Sequence, residues 1–347
     1  MVELKKSEEA RALRLHREAL IVDTHCDTLM QIKTGQGTTD GLIPQHGRGI
    51  PQRRLGERSS QGHIDLPRLV EGGVDCQTFA IYTARQENQP DALRTALQMV
   101  DTFDTECAAN EKVVAHVLRY DEIMAANKAG KVAALLAIEG AEPLMGDVAL
   151  MRVFHKLGVR MISLTWNWRT PFADGLSAKR SQSMLTDLGV EALREMERLG
   201  IVYDVSHLSD SCFWDVVEVK KGPFIASHSN CRTVCDHPRN LTDDMIRALA
   251  DHGGVMGMNF APAFVDKDKA TVSRLVDHID HVVKLVGADH VGLGSDFDGI
   301  DTTPEGLEDA SKMPNITREL VRRGYGDDEI GKILGGNHLK VFKEVIG

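Results

Sequence analysis

The feature that most constrains the fold is a repeated alternation of short apolar runs with longer segments of helical periodicity. The runs are rich in Val, Ile and Leu and are followed by turn residues, which is typical of buried parallel strands. Eight runs are predicted to be strands, at residues 20–24, 74–82, 132–138, 159–165, 201–205, 224–227, 254–259 and 290–295. Helices are predicted between them, at residues 91–108, 121–129, 147–157, 186–199, 209–219, 242–252 and 271–286. This alternation predicts an α/β fold, and eight repeats favour a closed (β/α)8 TIM-type barrel over an open sheet.

Other segments flank or interrupt the predicted barrel. Residues 1–19 are predicted to form an amphipathic helix, because charged residues recur there without the apolar block of a secretory signal. The Gly-rich residues 34–62 are predicted to be a long loop over the barrel mouth, a candidate lid or dimer contact. Two C-terminal helices are predicted within residues 315–347, roughly at residues 316–323 and 327–345. The length fits one barrel-sized domain or two smaller ones, and the eight repeats favour a single domain over residues 1–347.

Composition excludes some classes of partner and environment. A formal charge of -10 and a pI near 5.8 argue against nucleic-acid binding, which requires a basic surface. The longest apolar run, residues 132–138, is far too short to cross a membrane. The six cysteines include no CxxC pair and are predicted to be reduced. We therefore expect a cytoplasmic protein with a small-molecule substrate.

Several chemically active side chains follow the predicted strands directly. The carboxyl ends of the strands of a parallel barrel meet at one rim, where active sites lie. A lone histidine after a strand is usually a packed residue, but three histidines and three carboxylates in this position form a joint pattern. The six residues are His25 and Asp27 after the first strand, Glu139 after the third, His207 after the fifth, His228 after the sixth and Asp296 after the eighth. Trp166 follows the fourth strand.

Imidazole nitrogen and carboxylate oxygen are ligands that suit zinc or a similar divalent ion. Five ligands exceed the four of one tetrahedral site, and the two oxygens of Glu139 could bridge a pair of ions. Paired ions about 3.5–4 Å apart can share a hydroxide that is nucleophilic at neutral pH. We therefore predict a hydrolase, in which Asp296 could relay a proton to the leaving group. Asp298 has the same strand parity as Asp296, so spacing alone does not separate the two.

The motifs resemble, in this order, those of the renal or membrane dipeptidase family of zinc dipeptidases, whose barrel is of the amidohydrolase type. The resemblance runs from about residue 21 to the C-terminus. Its specific pieces are Asp-Thr-His-Cys-Asp, Ala-Ile-Glu-Gly, Tyr-Asp-Val-Ser-His-Leu-Ser, Ala-Ser-His-Ser-Asn, Pro-Arg-Asn and Gly-Ser-Asp-Phe-Asp-Gly with the later Pro-Glu-Gly-Leu-Glu-Asp.

The resemblance implies two Zn²⁺ ions per subunit and a role for each matching residue. His25 and Asp27 would hold the first ion, and His207 and His228 the second. Glu139 would bridge them. Asp296 matches the family's catalytic aspartate and would also receive the substrate's amino group. Arg239 matches the arginine that binds the substrate's carboxylate, a role that its fork of donors suits, and a homodimer is also implied.

One position departs from the family pattern. After the fourth strand the family usually has Thr-His, and that histidine steadies the oxyanion, whereas this chain has Trp166 there. An indole donates one N–H but cannot become cationic. Oxyanion stabilisation would then depend on the metals, on Trp166 itself, or on a neighbour such as Asn167 or Arg169.

The hypothesis is a dipeptidase in which a zinc-bridging hydroxide attacks the substrate carbonyl. Two alternatives stay open. One is a different hydrolysis on the same metal pair, of an N-acyl amino acid, a lactone or a β-lactam. The other is a metal-containing binding protein without turnover, although binding alone does not require a carboxylate such as Asp296 beside the metals.

Overall fold

Parallel strands and helices alternate along the chain, as predicted. A computed structural model describes residues 4–32, 53–83, 89–181 and 183–347. The strands within these residues are β1 (Ile21–Cys26), β2 (Val74–Tyr82), β3 (Val114–His116), β4 (Val132–Glu139), β5 (Val159–Ser163), β6 (Val202–Asp204), β7 (Ile225–Ala226), β8 (Val255–Met258) and β9 (Val291–Leu293). All pair in parallel, and every strand except β3 joins a closed ring in which β2 pairs with β4 and β9 pairs with β1. The predicted TIM-type barrel is confirmed.

The sequence did not predict β3. This strand pairs with β4 at Val132 to Ala134, ahead of Leu136, where β5 begins to pair. The other edge of β4 is occupied by β2 from Ala133 onward. Therefore β3 pairs with the start of β4 and lies outside the ring. Its three residues are too few to show a strand's two-residue periodicity.

Helices surround the ring on its outside and at its two ends. They are α1 (Lys6–Glu18), α2 (Thr28–Gln31), α3 (Leu66–Glu71), α4 (Gln89–Ala109), α5 (Tyr120–Lys128), α6 (Val148–Lys156), α7 (Asp187–Leu199), α8 (Asp210–Val219), α9 (Asp243–Asp251), α10 (Pro262–Val265), α11 (Val272–Val286), α12 (Pro314–Arg322), α13 (Asp327–Gly331) and α14 (Asn337–Val345). The helices predicted between strands, and α1, are confirmed. The capping residues Thr186, Ser209, Thr242 and Thr271 each accept the backbone N–H three residues on, which fixes four of the starts. The short helices α2, α3 and α10 were not predicted, because four to six residues show no helical periodicity.

One predicted C-terminal helix is wrong in detail. Residues 327–345 form α13, a π-helical turn at Lys332–Gly336, and then α14. At Gly335 a Cβ would lie 2.1 Å from the carbonyl oxygen of Leu20, so only glycine allows this close approach to β1.

Within the described residues, no helix is both long and apolar enough to span a bilayer.

The strands present alternate residues to the inside of the ring, as a pleated strand must. On β4 the inward residues are Ala133, Leu135, Ala137 and Glu139. The first three belong to an apolar cluster that also contains Leu339 and Phe342 of α14, which closes the floor of the barrel. The fourth continues the same parity to the carboxyl end of the strand. The register of β4 therefore directs Glu139 into the barrel mouth.

Part of the predicted loop at residues 34–62 returns to the mouth. Residues 34–52 lie outside the described residues, so a lid or dimer contact there stays a prediction. Arg53 is buried and forms an ion pair of 2.8 Å with Asp298, which follows β9. All six cysteines are buried and free, which agrees with the predicted reduced state.

Candidate active site

His25 and Asp27 converge after β1, with 3.2 Å between the Nε2 atom of His25 and Oδ2 of Asp27. The convergence was predicted, and two-residue alternation along a regular strand would give it, but β1 is irregular here. The step from Asp23 to Cys26 on β1 lies opposite the step from Gln77 to Phe79 on β2, so β1 holds one extra residue there. Asp27 lies beyond the strand, as the N-cap residue of α2. A local irregularity and a helix start bring the two side chains together.

Glu139 lies between two groups of side chains. Its Oε2 atom is 3.6 Å from Nε2 of His25, and its Oε1 atom is 2.9 Å from Nε2 of His207 and 3.3 Å from Nε2 of His228. Each carboxylate oxygen therefore faces a different histidine group. This arrangement is the one that a bridging ligand requires.

His207 and His228 direct their Nε2 atoms toward each other, 2.9 Å apart. The His228 ring also stacks on that of His25, with 3.8 Å between the ring centroids. Ligand atoms within 4.8 Å of one another form three groups among the described residues: His25, Asp27 and Glu139; Glu139, His207 and His228; and His25, His228 and Asp296. All five predicted metal ligands therefore lie in one cluster.

The backbone is strained at two of these residues. His207 has a φ of 71° and Asp296 a φ of 63°, both in the left-handed region that residues other than glycine seldom adopt. Strain of this kind persists only where surrounding contacts impose it, and it is concentrated at functional sites. The strained backbone of these two residues therefore supports a functional site at the mouth of the barrel.

Burial and charge set the protonation of the cluster. Burial lowers the pKa of His207 and His228 well below the ordinary value, with further lowering by the positive charges of Arg239 and His25. Burial also lowers the pKa of His25, but Glu139 and Asp27 outweigh it and raise that pKa to about 10. Burial raises the pKa of Glu139. The cluster thus combines two neutral imidazoles with carboxylates whose field attracts a cation.

The residues fit a pair of divalent ions. The Oδ1 atom of Asp27 is buried and has no hydrogen-bond partner among the described residues, which is costly for a carboxylate unless a ligand satisfies it. Neutral imidazole and carboxylate are the donor forms that a divalent ion requires. His207 and His228 are already neutral, and an ion bound at His25 would displace its proton. The groups centred on Glu139 would each supply three ligands and leave a position open for substrate.

The structure separates the two aspartates that follow β9. Asp296 lines the cavity above the cluster, with Oδ1 3.9 Å from Nε2 of His25 and Oδ2 accepting a 2.8 Å hydrogen bond from Asn259. Burial raises its pKa to about 6. Asp298 instead accepts hydrogen bonds from Thr28 and Arg53. Asp298 is thus engaged in holding the loop, and only Asp296 faces the cavity.

Arg239 is buried at the same cavity, although it comes from a loop after β7. Its guanidinium donates to the carbonyl oxygen of His228 at 3.1 Å and to the hydroxyl of Ser229 at 3.4 Å. No carboxylate of the described residues forms an ion pair with it, and its Nε atom lacks a partner. A buried cation in this state is suited to bind an anionic group of a ligand.

Trp166 lies in the wall of the cavity, as predicted, with its ring centroid 5.2 Å from that of Tyr82 and 5.5 Å from that of His207. Asn167 directs its Oδ1 atom to Nδ1 of His207 at 2.9 Å. Arg169 does not line the cavity. Its side chain is half exposed and paired with Asp174 at 2.6 Å, so its predicted availability to an oxyanion is not supported.

The cavity has a volume of about 170 Å³. Polar groups lie at its base and apolar side chains in its walls. The lining residues are Asp27, Met30, Tyr82, Glu139, Trp166, Asn167, His207, Arg239, Ala261, Phe264, Asp296, Gly299 and Ile300. The volume is below the roughly 300–1,000 Å³ of sites for drug-sized ligands, so a small substrate is indicated.

Comparison with known proteins decides the family. The model of the family described as Membrane dipeptidase (Peptidase family M19) matches residues 9–346. The chain belongs to this family. The predicted resemblance is confirmed, and the protein is a metal-dependent hydrolase.

Two proteins named as dipeptidases and one solved structure of a metallo peptidase match most of this chain. Dipeptidase 3 of Rattus norvegicus is 33% identical over 345 residues, which are 96% of this chain and 67% of the rat protein. An uncharacterized dipeptidase of Schizosaccharomyces pombe is 35% identical over 305 residues, 83% of this chain and 73% of that protein. The crystal structure of a metallo peptidase from Rhodobacter sphaeroides, liganded with a phosphinate mimic of the dipeptide L-Ala-D-Ala, has a TM-score of 0.84 and 26% identity, covering 94% of this chain and 99% of that chain.

Sequence reasoning missed some residues at this dipeptidase-family site. Tyr82 is the last inward residue of β2, and Asn259, at the end of the seventh predicted strand, positions Asp296. Both could have been found by applying the strand-end criterion to neutral polar residues as well as to metal ligands. Arg53 gave no such signal, because only the fold brings its loop to Asp298.

Proposed function

We propose that the protein is a dinuclear zinc dipeptidase that hydrolyses dipeptides with a free amino group and a free carboxylate. The observation that carries this proposal is the placement of Asp296 and Arg239 around one cavity with the histidine and carboxylate cluster. A dipeptide is the short peptide that offers both a cation and an anion close to its peptide bond. The names of the relatives, and the dipeptide mimic bound to the Rhodobacter sphaeroides protein, support the same substrate class.

The metal site in this proposal uses the five clustered residues. His25 and Asp27 would hold one zinc ion, His207 and His228 the other, and Glu139 would give one oxygen to each. Bound in this way, two such ions supply a nucleophilic hydroxide at neutral pH and polarise the substrate carbonyl.

Asp296 acts on protons in this mechanism. Asn259 holds its Oδ2 atom, and its Oδ1 atom is on the side of His25, next to the proposed ligands. From this place the carboxylate can accept the proton of the attacking water and pass it to the departing amine. It can also pair with the amino group of the bound dipeptide.

Arg239 positions the other end of the substrate. The walls of the cavity keep water away from the guanidinium, so a charge-assisted bond to a carboxylate is stronger there than at the surface. With the carboxylate held at Arg239 and the amino group at Asp296, the peptide bond between them would be directed to the side chains that would hold the metal ions.

Trp166 is proposed to be the protein donor on the oxyanion side. Arg169 is paired with Asp174 and does not line the cavity, so it is poorly placed to donate. Asn167 directs its oxygen to His207, which leaves its NH2 group as the alternative donor. Trp166→Phe keeps an aromatic wall and removes the N–H, and we expect kcat to fall by roughly 10²–10³-fold. Unchanged kcat would assign the oxyanion to the metals or to Asn167.

Matched substrates test the proposed dipeptidase activity. The zinc-loaded enzyme would be assayed with Ala-Ala, with its N-acetyl derivative and with its C-terminal amide. We expect kcat/KM to fall by roughly 10–10²-fold for each blocked form, because each loses one bond to a charged group. Equal rates on the N-acetyl derivative would instead favour the N-acyl amino acid alternative, and turnover confined to a lactone or β-lactam panel would favour those substrates.

Asp296→Asn separates catalysis from metal binding. We expect unchanged zinc content by elemental analysis and kcat lowered by roughly 10²–10⁴-fold, since the amide cannot exchange a proton. A fully active Asp296→Asn enzyme would remove Asp296 from the mechanism.

We also propose that the protein is a cytoplasmic homodimer. Six buried free cysteines suit a reducing compartment. Light scattering of the purified protein tests the dimer, and fractionation of the source cells tests the location.

A further inference from the structure

Beneath His228 lies a buried aspartate that is not among the residues lining the cavity. Asp204, the last residue of β6, accepts the backbone N–H groups of Ser206 at 2.9 Å and Ser227 at 2.8 Å with its Oδ1 atom. Its Oδ2 atom accepts the hydroxyl of Ser227 at 2.5 Å. The same hydroxyl oxygen lies 2.7 Å from Nδ1 of His228. Carboxylate, hydroxyl and imidazole thus form one chain across β6 and β7.

The direction of this chain follows from the chemistry of its members. An ionised carboxylate can only accept hydrogen bonds, and a serine hydroxyl has one hydrogen to give. Since that hydrogen goes to Asp204, the oxygen of Ser227 is an acceptor toward the imidazole. Nδ1 of His228 therefore carries the hydrogen, and the lone pair is at Nε2, the atom 3.3 Å from Oε1 of Glu139.

We propose that Asp204 is a positioning residue that acts through Ser227 to hold His228 in the tautomer and ring orientation that a metal ion requires. This inference rests on His228 being a metal ligand, as in the proposed function. Partners of this kind, one step behind the ligand, typically change metal affinity by 10–100-fold when they are removed.

A structurally equivalent pair provides a control. Asp23 on β1 accepts the backbone N–H of Ser295 at 2.8 Å and its hydroxyl at 2.6 Å, as Asp204 does for Ser227. The Ser295 hydroxyl contacts the carbonyl oxygen of His25 and no imidazole nitrogen of the described residues. Ser295→Ala therefore loses the same hydroxyl–carboxylate bond without releasing a histidine ring.

The experiment measures zinc affinity by competition with a chromophoric chelator for wild type, Ser227→Ala, Asp204→Asn and Ser295→Ala. We expect one of the two zinc ions to bind roughly 10–100-fold more weakly in Ser227→Ala and Asp204→Asn. Ser295→Ala should remain within about threefold of wild type, below that range. Asp204 also accepts two backbone N–H groups, so Asp204→Asn disturbs the backbone as well as the chain to His228. Ser227→Ala is therefore the decisive variant.

A second measurement needs no bound metal. In the metal-free protein with 15N-labelled histidine, NMR should show His228 protonated at Nδ1 in wild type and a mixture of tautomers in Ser227→Ala. Unchanged affinity together with an unchanged tautomer in Ser227→Ala would overturn the inference, as would equal losses in Ser227→Ala and Ser295→Ala. Failure of the wild type and of His228→Ala alike to bind zinc would overturn the proposed function itself.

Discussion

The two ends of the barrel interior are built from the same strands and do different work. At the floor, inward residues such as Val22, Leu135 and Val255 pack against α14 in an apolar cluster. At the mouth, the same inward parity ends in Glu139 on β4 and Asp204 on β6. The floor gains stability from apolar burial, so the mouth can hold charged groups that burial alone would disfavour. Replacements at the mouth should therefore act on chemistry, and replacements at the floor on the free energy of unfolding.

The largest expected effect is at Glu139, the residue that joins both halves of the mouth. Glu139→Ala should remove both zinc ions and lower kcat/KM by at least about 10³-fold, beyond the 10–100-fold typical of residues behind the ligands. Elemental analysis and dipeptide kinetics measure the two losses. Glu142→Ala, three residues along the chain and outside the cavity lining, is the matched control and should keep its zinc. An active, zinc-loaded Glu139→Ala enzyme would contradict the proposed bridge.

Asp298 lies at the mouth, but its replacement should lower the free energy of unfolding, as replacements at the floor do. It therefore tests the difference between the two ends most directly. Asp298→Ala leaves the Arg53 guanidinium buried without its partner, and loss of one member of a buried pair costs about 3–5 kcal/mol of unfolding free energy. Denaturant unfolding measures this loss. The double variant with Arg53→Met should recover part of it, because no charge is then stranded. Equal stability of Asp298→Ala and wild type would show that the pair does not hold the loop.

At the floor, Leu135 is an inward residue of β4, four residues before Glu139, and it is 3% exposed. Leu135→Ala should lower the free energy of unfolding by about 2–5 kcal/mol through lost burial and a new cavity. With the protein still folded at the assay temperature, kcat on a dipeptide should stay within about twofold, since Leu135 does not line the cavity. A large loss of kcat without a loss of stability would mean that the two ends are coupled.

The smallest expected effect is an acid sensitivity of the floor. His338 of α14 is buried against Gly292 and has no hydrogen-bond partner in the part of the chain that the structure describes, and burial lowers its pKa to about 3. The unfolded chain, with an ordinary histidine pKa near 6.5, binds the proton more readily, so this stability is present above about pH 6.5 and is lost as the pH falls toward 3. At pH 5 the loss amounts to about 2 kcal/mol.

His338→Leu isolates this contribution. Between pH 7 and pH 5, the free energy of unfolding should fall by about 2 kcal/mol more in wild type than in the variant. Other buried histidines contribute equally to both proteins and cancel in the difference. Identical pH dependence in the two proteins would show that the His338 proton does not contribute.

Much of the fold was predictable because its determinants are local. Each barrel strand shows as an apolar run, and capping residues such as Ser209 and Thr242 mark helix starts. The metal-ligand candidates were predictable for the same reason, since they follow strands whose ends share a rim. Short elements such as β3 and α10 were missed because three or four residues carry no periodicity.

The sequence by itself determined the barrel, its rim and the identity of the clustered side chains, because strand periodicity and strand ends are properties of neighbouring residues. Only the tertiary structure decided how they meet. It placed one extra residue in β1 beside His25, gave Asp298 to Arg53 and left Asp296 facing the cavity, and joined Asp204 to His228 through Ser227. These outcomes depend on contacts between residues far apart along the chain, whose spacing the packing of the whole barrel sets.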